Sequence, residues 1–124
     1  MESTYRFTDL IAWQKAHEFV LEIYKATENF PKHELFGLVS QFRRAAVSIP
    51  ANIAEGYKRK SKVEKLRFFN ISQGSLEECR YYILLSKDLG YIDETQYNCQ
   101  NQKIEESSKT LNAYCLKINR DINS

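Results

Sequence analysis

The sequence predicts an all-α domain, an up-down-up-down antiparallel four-helix bundle. Three observations point there. Apolar residues recur in three–four steps through four long stretches, the period of one helix face. Strand-like alternation of apolar and polar residues appears nowhere in the text. The breaks between stretches are short, and short connections make sequential helices pack side by side in opposite directions. The expected helices cover about residues 8–29, 32–57, 61–89 and 93–122, within one domain spanning residues 1–124.

Helix one is expected to begin at Thr8 and Asp9, either of which can accept the free N–H groups of a first turn. Leu10, Trp13, His17, Val20, Tyr24 and Thr27 form its stripe, and Asn29-Phe30-Pro31 ends it, because a proline drives the preceding residue out of helical geometry. Helix two opens after Pro31 with the stripe Leu35, Leu38, Phe42, Ala45, Ile49 and Ile53. Pro50 has no N–H for the Ala46 carbonyl and crowds it, so a kink is expected there. Gly56 reads as the stop.

Ser61-x-x-Glu64 is a capping-box pattern and starts helix three. Leu66, Phe69, Leu76 and Ile83 make one apolar row, and Phe68, Cys79, Tyr82 and Leu89 make another, with small Ser72, Gly74 and Ser75 between them. Two apolar faces exceed what a small monomeric bundle buries, so self-association is expected. Asp93-x-x-Gln96 caps helix four, whose positions Tyr97, Asn101, Ile104, Ser108, Leu111, Cys115, Ile118 and Ile122 form a heptad seam weakened by Asn101 and Ser108.

Composition narrows the class. The chain has 124 residues, 43% hydrophobic and 27% charged, with four glycines and two prolines, a helix-favouring globular mixture. No window approaches the roughly 20 unbroken apolar residues of a membrane span, and the N-terminal text lacks a signal layout; a cytoplasmic location is expected. Cys79, Cys99 and Cys115 lack CxxC spacing, and with His17 and His33 they make no zinc constellation. They read as reduced core or seam residues. No phosphate loop, nucleophile elbow or metal motif is present, so neither an enzyme nor a cofactor is expected. Glu77-Glu78 and Glu105-Glu106 are adjacent pairs that diverge on a helix, and Asn70-Ile71-Ser72 is a sequon discounted for its place within a helix.

Net charge is +2 but uneven. Within residues 41–67, Arg43, Arg44, Lys58, Arg59, Lys60, Lys62, Lys65 and Arg67 face only Glu55 and Glu64, a balance of +6 that leaves −4 elsewhere. Such asymmetry speaks of partners rather than of fold.

The segment QFRRAAVSIPANIAEG (Gln41–Gly56) carries a family signature, together with Trp13-Gln14, Phe30-Pro31, Glu34 and Gly74-Ser75. From about Phe7 to Ile92 the chain resembles the four-helix-bundle proteins encoded in intervening sequences of bacterial 23S ribosomal RNA genes, also labelled S23 ribosomal proteins. The resemblance implies a homo-oligomer, typically a ring-shaped pentamer. It also implies kinship with the accessory variability determinant of diversity-generating retroelements, a basic pentamer that binds nucleic acid and a reverse transcriptase. Five copies around one axis would gather a ring of about +25 from the residues following Gly56.

Two readings attach to each candidate site. Lys58, Arg59, Lys60, Lys62, Lys65 and Arg67 either neutralise phosphates, with Tyr57 and Phe68 placed to stack on unpaired bases, or form a solvated junction that offsets the dipole of helix two. Arg43 and Arg44 either pair structurally, with Gln41 and Glu55 as neighbours, or touch phosphate. Pro50, Asn52 and Glu55 mark the kink, where Ser48 or Asn52 would satisfy freed backbone groups, and Ser72, Gly74 and Ser75 are assigned to the subunit interface. His17 reads as a core histidine and His33 as solvated. The function expected is a non-enzymatic oligomer that binds RNA or DNA through a basic rim. The alternative is an accessory module docking an acidic partner such as a reverse transcriptase.

Overall fold

The computed structural model describes residues 6–123; the side chains of residues 122 and 123, and so that of Ile122, lie outside the described residues. Four long helices, α1 (Ile11–Thr27), α2 (Ser40–Lys58), α3 (Lys62–Asp88) and α4 (Glu94–Asn123), form a four-helix bundle, with no strand among the described residues. Each helix packs on two others: α1 on α2 and α4, and α3 on α2 and α4. Lys62 at the start of α3 pairs with Asp121 near the end of α4 at 3.8 Å, and Lys87 near the end of α3 pairs with Glu94 at the start of α4 at 3.2 Å. One apolar core runs through all four helices, with Phe19, Phe42 and Phe69 as its largest fully buried members.

The face that α1 buries agrees with the expected stripe only in part. Val20 and Thr27 are buried as expected, together with Ala12, Ala16, Phe19, Ile23 and Ala26, while Trp13 and His17 sit half-buried on the shoulder and Tyr24 is exposed. Small alanines let neighbouring helices approach, so Ala12, Ala16 and Ala26 share the core face with Phe19, Val20 and Ile23, and Trp13 lies at its edge. Thr8 and Asp9 do not cap α1. They belong to a 3-10 turn, Phe7–Asp9, and the N-cap of α1 is Leu10, with no side-chain bond.

The entry to α2 is irregular where a plain helix was expected. A 3-10 turn, Lys32–Glu34, leads into a wide π-type turn, Leu35–Val39, with non-helical Gly37 at φ −112° and ψ −110°. Glu34 holds this break in place: its carboxylate accepts from the Leu38 N–H at 3.1 Å and from the Tyr91 hydroxyl at 2.8 Å. Leu35 consequently leaves the core and is exposed, while Leu38, Phe42, Ala45, Ile49 and Ile53 stay in it.

The α2 helix continues through Pro50, and a departure from helical backbone geometry occurs earlier, at Gly37. Polar groups around Pro50 find partners on α3. The Ser72 hydroxyl donates to the Ile49 carbonyl at 2.8 Å, and the Ser75 hydroxyl to Ser48 Oγ at 2.9 Å. Asn52 donates to the Ser48 carbonyl at 2.8 Å. Gly56 does not stop α2, which runs on to Lys58. It is a contact point: a Cβ there would lie 2.6 Å from Phe69 Cε1 and 3.1 Å from the Lys65 carbonyl.

Ser61 caps α3 through the Glu64 N–H at 3.0 Å. At α4 the box is reciprocal, with Gln96 N–H to Asp93 Oδ1 at 2.8 Å and Asp93 N–H to Gln96 Oε1 at 3.0 Å. The two rows of α3 serve largely one core: Phe69, Leu76, Ile83 and Cys79 are buried, and Leu66, Phe68 and Tyr82 partly so, whereas Leu89 is exposed. Exposed Val63, Ile71, Tyr81 and Leu84 make up its outer side. The α4 seam buries Ile104, Ser108, Leu111, Cys115 and Ile118, and beside it two unforeseen polar residues, Gln100 and Ser107.

Candidate functional site

Three residues separate α2 from α3, and the basic run sits on this junction. Its cations fall into three groups. Lys65 is structural: its ammonium donates to the Tyr57 carbonyl (2.5 Å) at the end of α2 and to the Gly56 carbonyl (3.4 Å), which also accepts from the Arg59 N–H at 3.1 Å. Burial lowers its pKa. Arg59 pairs with Glu55 at 3.0 Å and lies over the Phe68 ring at 4.7 Å. Arg67 is 3.5 Å from Glu64, and Lys62 is 3.8 Å from Asp121. Lys58 and Lys60 are exposed with no ion-pair or hydrogen-bond partner among the described residues. Exposed ion pairs contribute about 0–1 kcal/mol, so Arg59, Lys62 and Arg67 can exchange their carboxylates for another anion at little cost.

The fold adds cations that the local run does not contain. Arg6 lines a groove with Lys58 and Lys65, and Lys117 lines a hollow with Asp9 and Leu10. Arg120 adjoins Asp121, the partner of Lys62. The signal that would have found them is the return of helix four to the start of helix three, already implied by the short connectors. The groove, of ≈ 960 Å³, lies between the Phe7–Asp9 turn and the last turns of α2; Ala51, Ala54, Glu55 and Tyr57 complete its lining with Phe7 and Thr8.

Arg43 and Arg44 are engaged elsewhere. Arg43 binds α1, with Nε donating to Thr27 Oγ1 at 2.8 Å, a second nitrogen to the Tyr24 carbonyl at 3.3 Å, and its guanidinium 4.5 Å from the Tyr24 ring centre. Arg44 donates to Gln41 within α2 (3.0 Å) and to Glu78 on α3 (3.3 Å). Glu55, the other neighbour considered for Arg44, sits three turns further along and takes Arg59 instead. Ser72 and Ser75 face α2 inside the subunit, whereas Gly74 is exposed with nothing within 4 Å of an added Cβ.

Thiol and carboxyl chemistry is muted. Burial pushes the Cys115 pKa up to about 11 and raises that of Cys79 further. Among the described residues, no group of three or more His, Cys, Asp or Glu side chains is placed to hold a metal ion. Among the described residues, no helix is long and apolar enough to cross a membrane.

Residues 8–113 match the family model described as 23S rRNA-intervening sequence protein. A crystal structure from Bacteroides thetaiotaomicron, described as a protein with unknown function from the S23 ribosomal protein family, is similar at 28% identity. The match covers 85% of this chain and 98% of that one, with a TM-score of 0.76. No curated protein matches. With a family match over most of its length and a solved relative of the same fold, the chain belongs to the 23S rRNA-intervening sequence protein family.

Proposed function

We propose that this protein is a non-enzymatic, cytoplasmic homo-oligomer that binds nucleic acid through the basic end of its bundle. The observation that carries the reading is the pair of exposed, unpartnered lysines Lys58 and Lys60, set among cations held only by exchangeable surface pairs. Phosphates approaching that end meet ammonium groups with no carboxylate to displace, the arrangement that releases counterions most cheaply. The bundle is read as up-down-up-down and antiparallel. The Lys62–Asp121 and Lys87–Glu94 pairs support this, since each joins one end of α3 to the opposite end of α4. A ring-like homo-oligomer, with the exposed α3 residues Val63, Ile71, Tyr81 and Leu84 and the open Gly74 at its contacts, would bring several basic ends together.

A salt titration of duplex binding tests the reading. Each phosphate neutralised contributes about 0.9 to the slope of log affinity against log salt, so Lys58→Ala/Lys60→Ala should flatten the slope by roughly 1.8 for each bound basic end. Absence of binding at low salt, or a slope unchanged by the double substitution, would refute it. Capture of an acidic protein that survives nuclease treatment would favour the docking alternative.

A further inference from the structure

The groove beside the Phe7–Asp9 turn carries more than a general positive field. Its floor is Ala51 and Ala54, its aromatic walls are Phe7 and Tyr57, and its cations are Arg6, Lys58 and Lys65. The one carboxylate in the lining, Glu55, is occupied by Arg59 at 3.0 Å. Lys65 is spent on backbone carbonyls, which leaves Arg6 and Lys58 for an incoming anion. Phe7 is 37% exposed, yet its ring is held edge-on by Trp13 at 5.3 Å, and Trp13 stacks in turn on His17 at 4.8 Å. A large aromatic fixed at a recess and open to solvent is a platform, and flat bases stack on such platforms whatever their sequence.

We propose that the groove takes an unpaired nucleotide, the base against Phe7 and over the alanine floor, the phosphate between Arg6 and Lys58. The inference rests on the reading of this end as a nucleic-acid surface and narrows it to single strands. In a duplex the bases are stacked and paired, so they cannot enter a recess behind the phosphate surface, whereas an unpaired base reaches it without that cost. Its volume, ≈ 960 Å³, falls within the span typical of small-ligand sites, about 300–1,000 Å³.

Trp13 is the chain's single tryptophan and touches Phe7, so its emission reports the groove directly. The full chain is titrated with a single-stranded homopolymer, a duplex of equal length and adenosine monophosphate, following both anisotropy of labelled strands and Trp13 fluorescence. Single strand should quench Trp13 saturably, and duplex should bind without quenching. Phe7→Ala should weaken single-strand binding about tenfold and leave duplex binding unchanged. Ala51→Leu, at an exposed position, fills the floor without deleting a contact and should do the same. Stronger quenching by the mononucleotide than by the strand would assign the same pocket to free nucleotide. Equal binding of strand and duplex, unaffected by either substitution, would overturn the pocket while leaving the basic surface standing. Binding of neither would overturn both.

Discussion

Two glycines in this chain should respond in opposite directions to the same one-carbon change. At Gly56 an added Cβ lands 2.6 Å from Phe69 Cε1 and 3.1 Å from a backbone carbonyl. The ring must retreat by roughly 0.8 Å to reach ordinary contact, yet Phe69 is fully buried and backed by Tyr114 at 5.5 Å. Overpacking of this kind costs about 1–3 kcal/mol, against which the helix gains about 0.5–1 kcal/mol for losing a glycine. Gly56→Ala should therefore lose about 1–2 kcal/mol, a fall in Tm of about 4–8 °C for a chain of this size. Gly74 lies mid-α3, exposed, with nothing within 4 Å, so Gly74→Ala keeps only the helix term and should gain about 0.5–1 kcal/mol.

Urea denaturation followed by far-UV circular dichroism measures both, at one protein concentration, with mass checked by light scattering because an oligomer's stability depends on concentration. Changes of the same sign in both variants, with the mass constant, would refute the packing argument. A Gly74→Ala protein that dissociates would instead locate Gly74 at the proposed subunit contact.

The buried amide of Gln100 has no hydrogen-bond partner among the described residues on either atom, so Gln100→Met should stabilise the protein by about 1–2 kcal/mol; a loss of stability would show that the amide is satisfied. The Glu34 carboxyl is held below its ordinary pKa by the Leu38 N–H, then by the Tyr91 hydroxyl and the charge of His33. A depressed carboxyl stabilises the fold above its unfolded value of about 4.5 and loses that contribution as pH falls through the folded value. Glu34→Gln should flatten the dependence of Tm on pH in that acid window, and an unchanged profile would contradict the assignment. Cys79 and Cys115 are buried and Cys99 only partly so; native protein should consume one equivalent of a thiol reagent quickly and the other two upon unfolding, whereas three fast equivalents would argue against this packing.

What the text of the chain revealed was whatever its physics kept local. Ser61-x-x-Glu64 and Asp93-x-x-Gln96 start α3 and α4 because each cap closes within one turn. The break before α2 is closed locally by Glu34 on the Leu38 N–H, but its second tie runs to Tyr91, 57 residues away, which no short-range pattern announces. Pro50 is the converse. Its penalty is local and visible, while the hydroxyls of Ser72 and Ser75 that line the same stretch of α2 come from another helix. The stripe read for α1 holds at Val20 and Thr27 and misses the small residues, because bulk was counted and closeness was not: Ala12, Ala16 and Ala26 pack inward beside Phe19 and Ile23.

The same distinction governs the basic segment. Counting eight cations over residues 41–67 treats them as equivalent, but charge acts through what it is already bonded to. Arg43 fastens α2 to α1 and Lys65 closes the end of α2, so these two are committed to holding the bundle together, whereas Arg44 holds an exposed pair with Glu78. Lys58 and Lys60 hold nothing, and Arg59, Lys62 and Arg67 hold only exchangeable partners. Arg6, from the other end of the sequence, joins Lys58 and Lys65 along the groove. A surface built this way keeps its shape when its ligand leaves, because the cations that shape it differ from those that would bind. Charge removal at Lys58 and Lys60 therefore tests binding without testing folding, which no substitution at Arg43 or Lys65 can do.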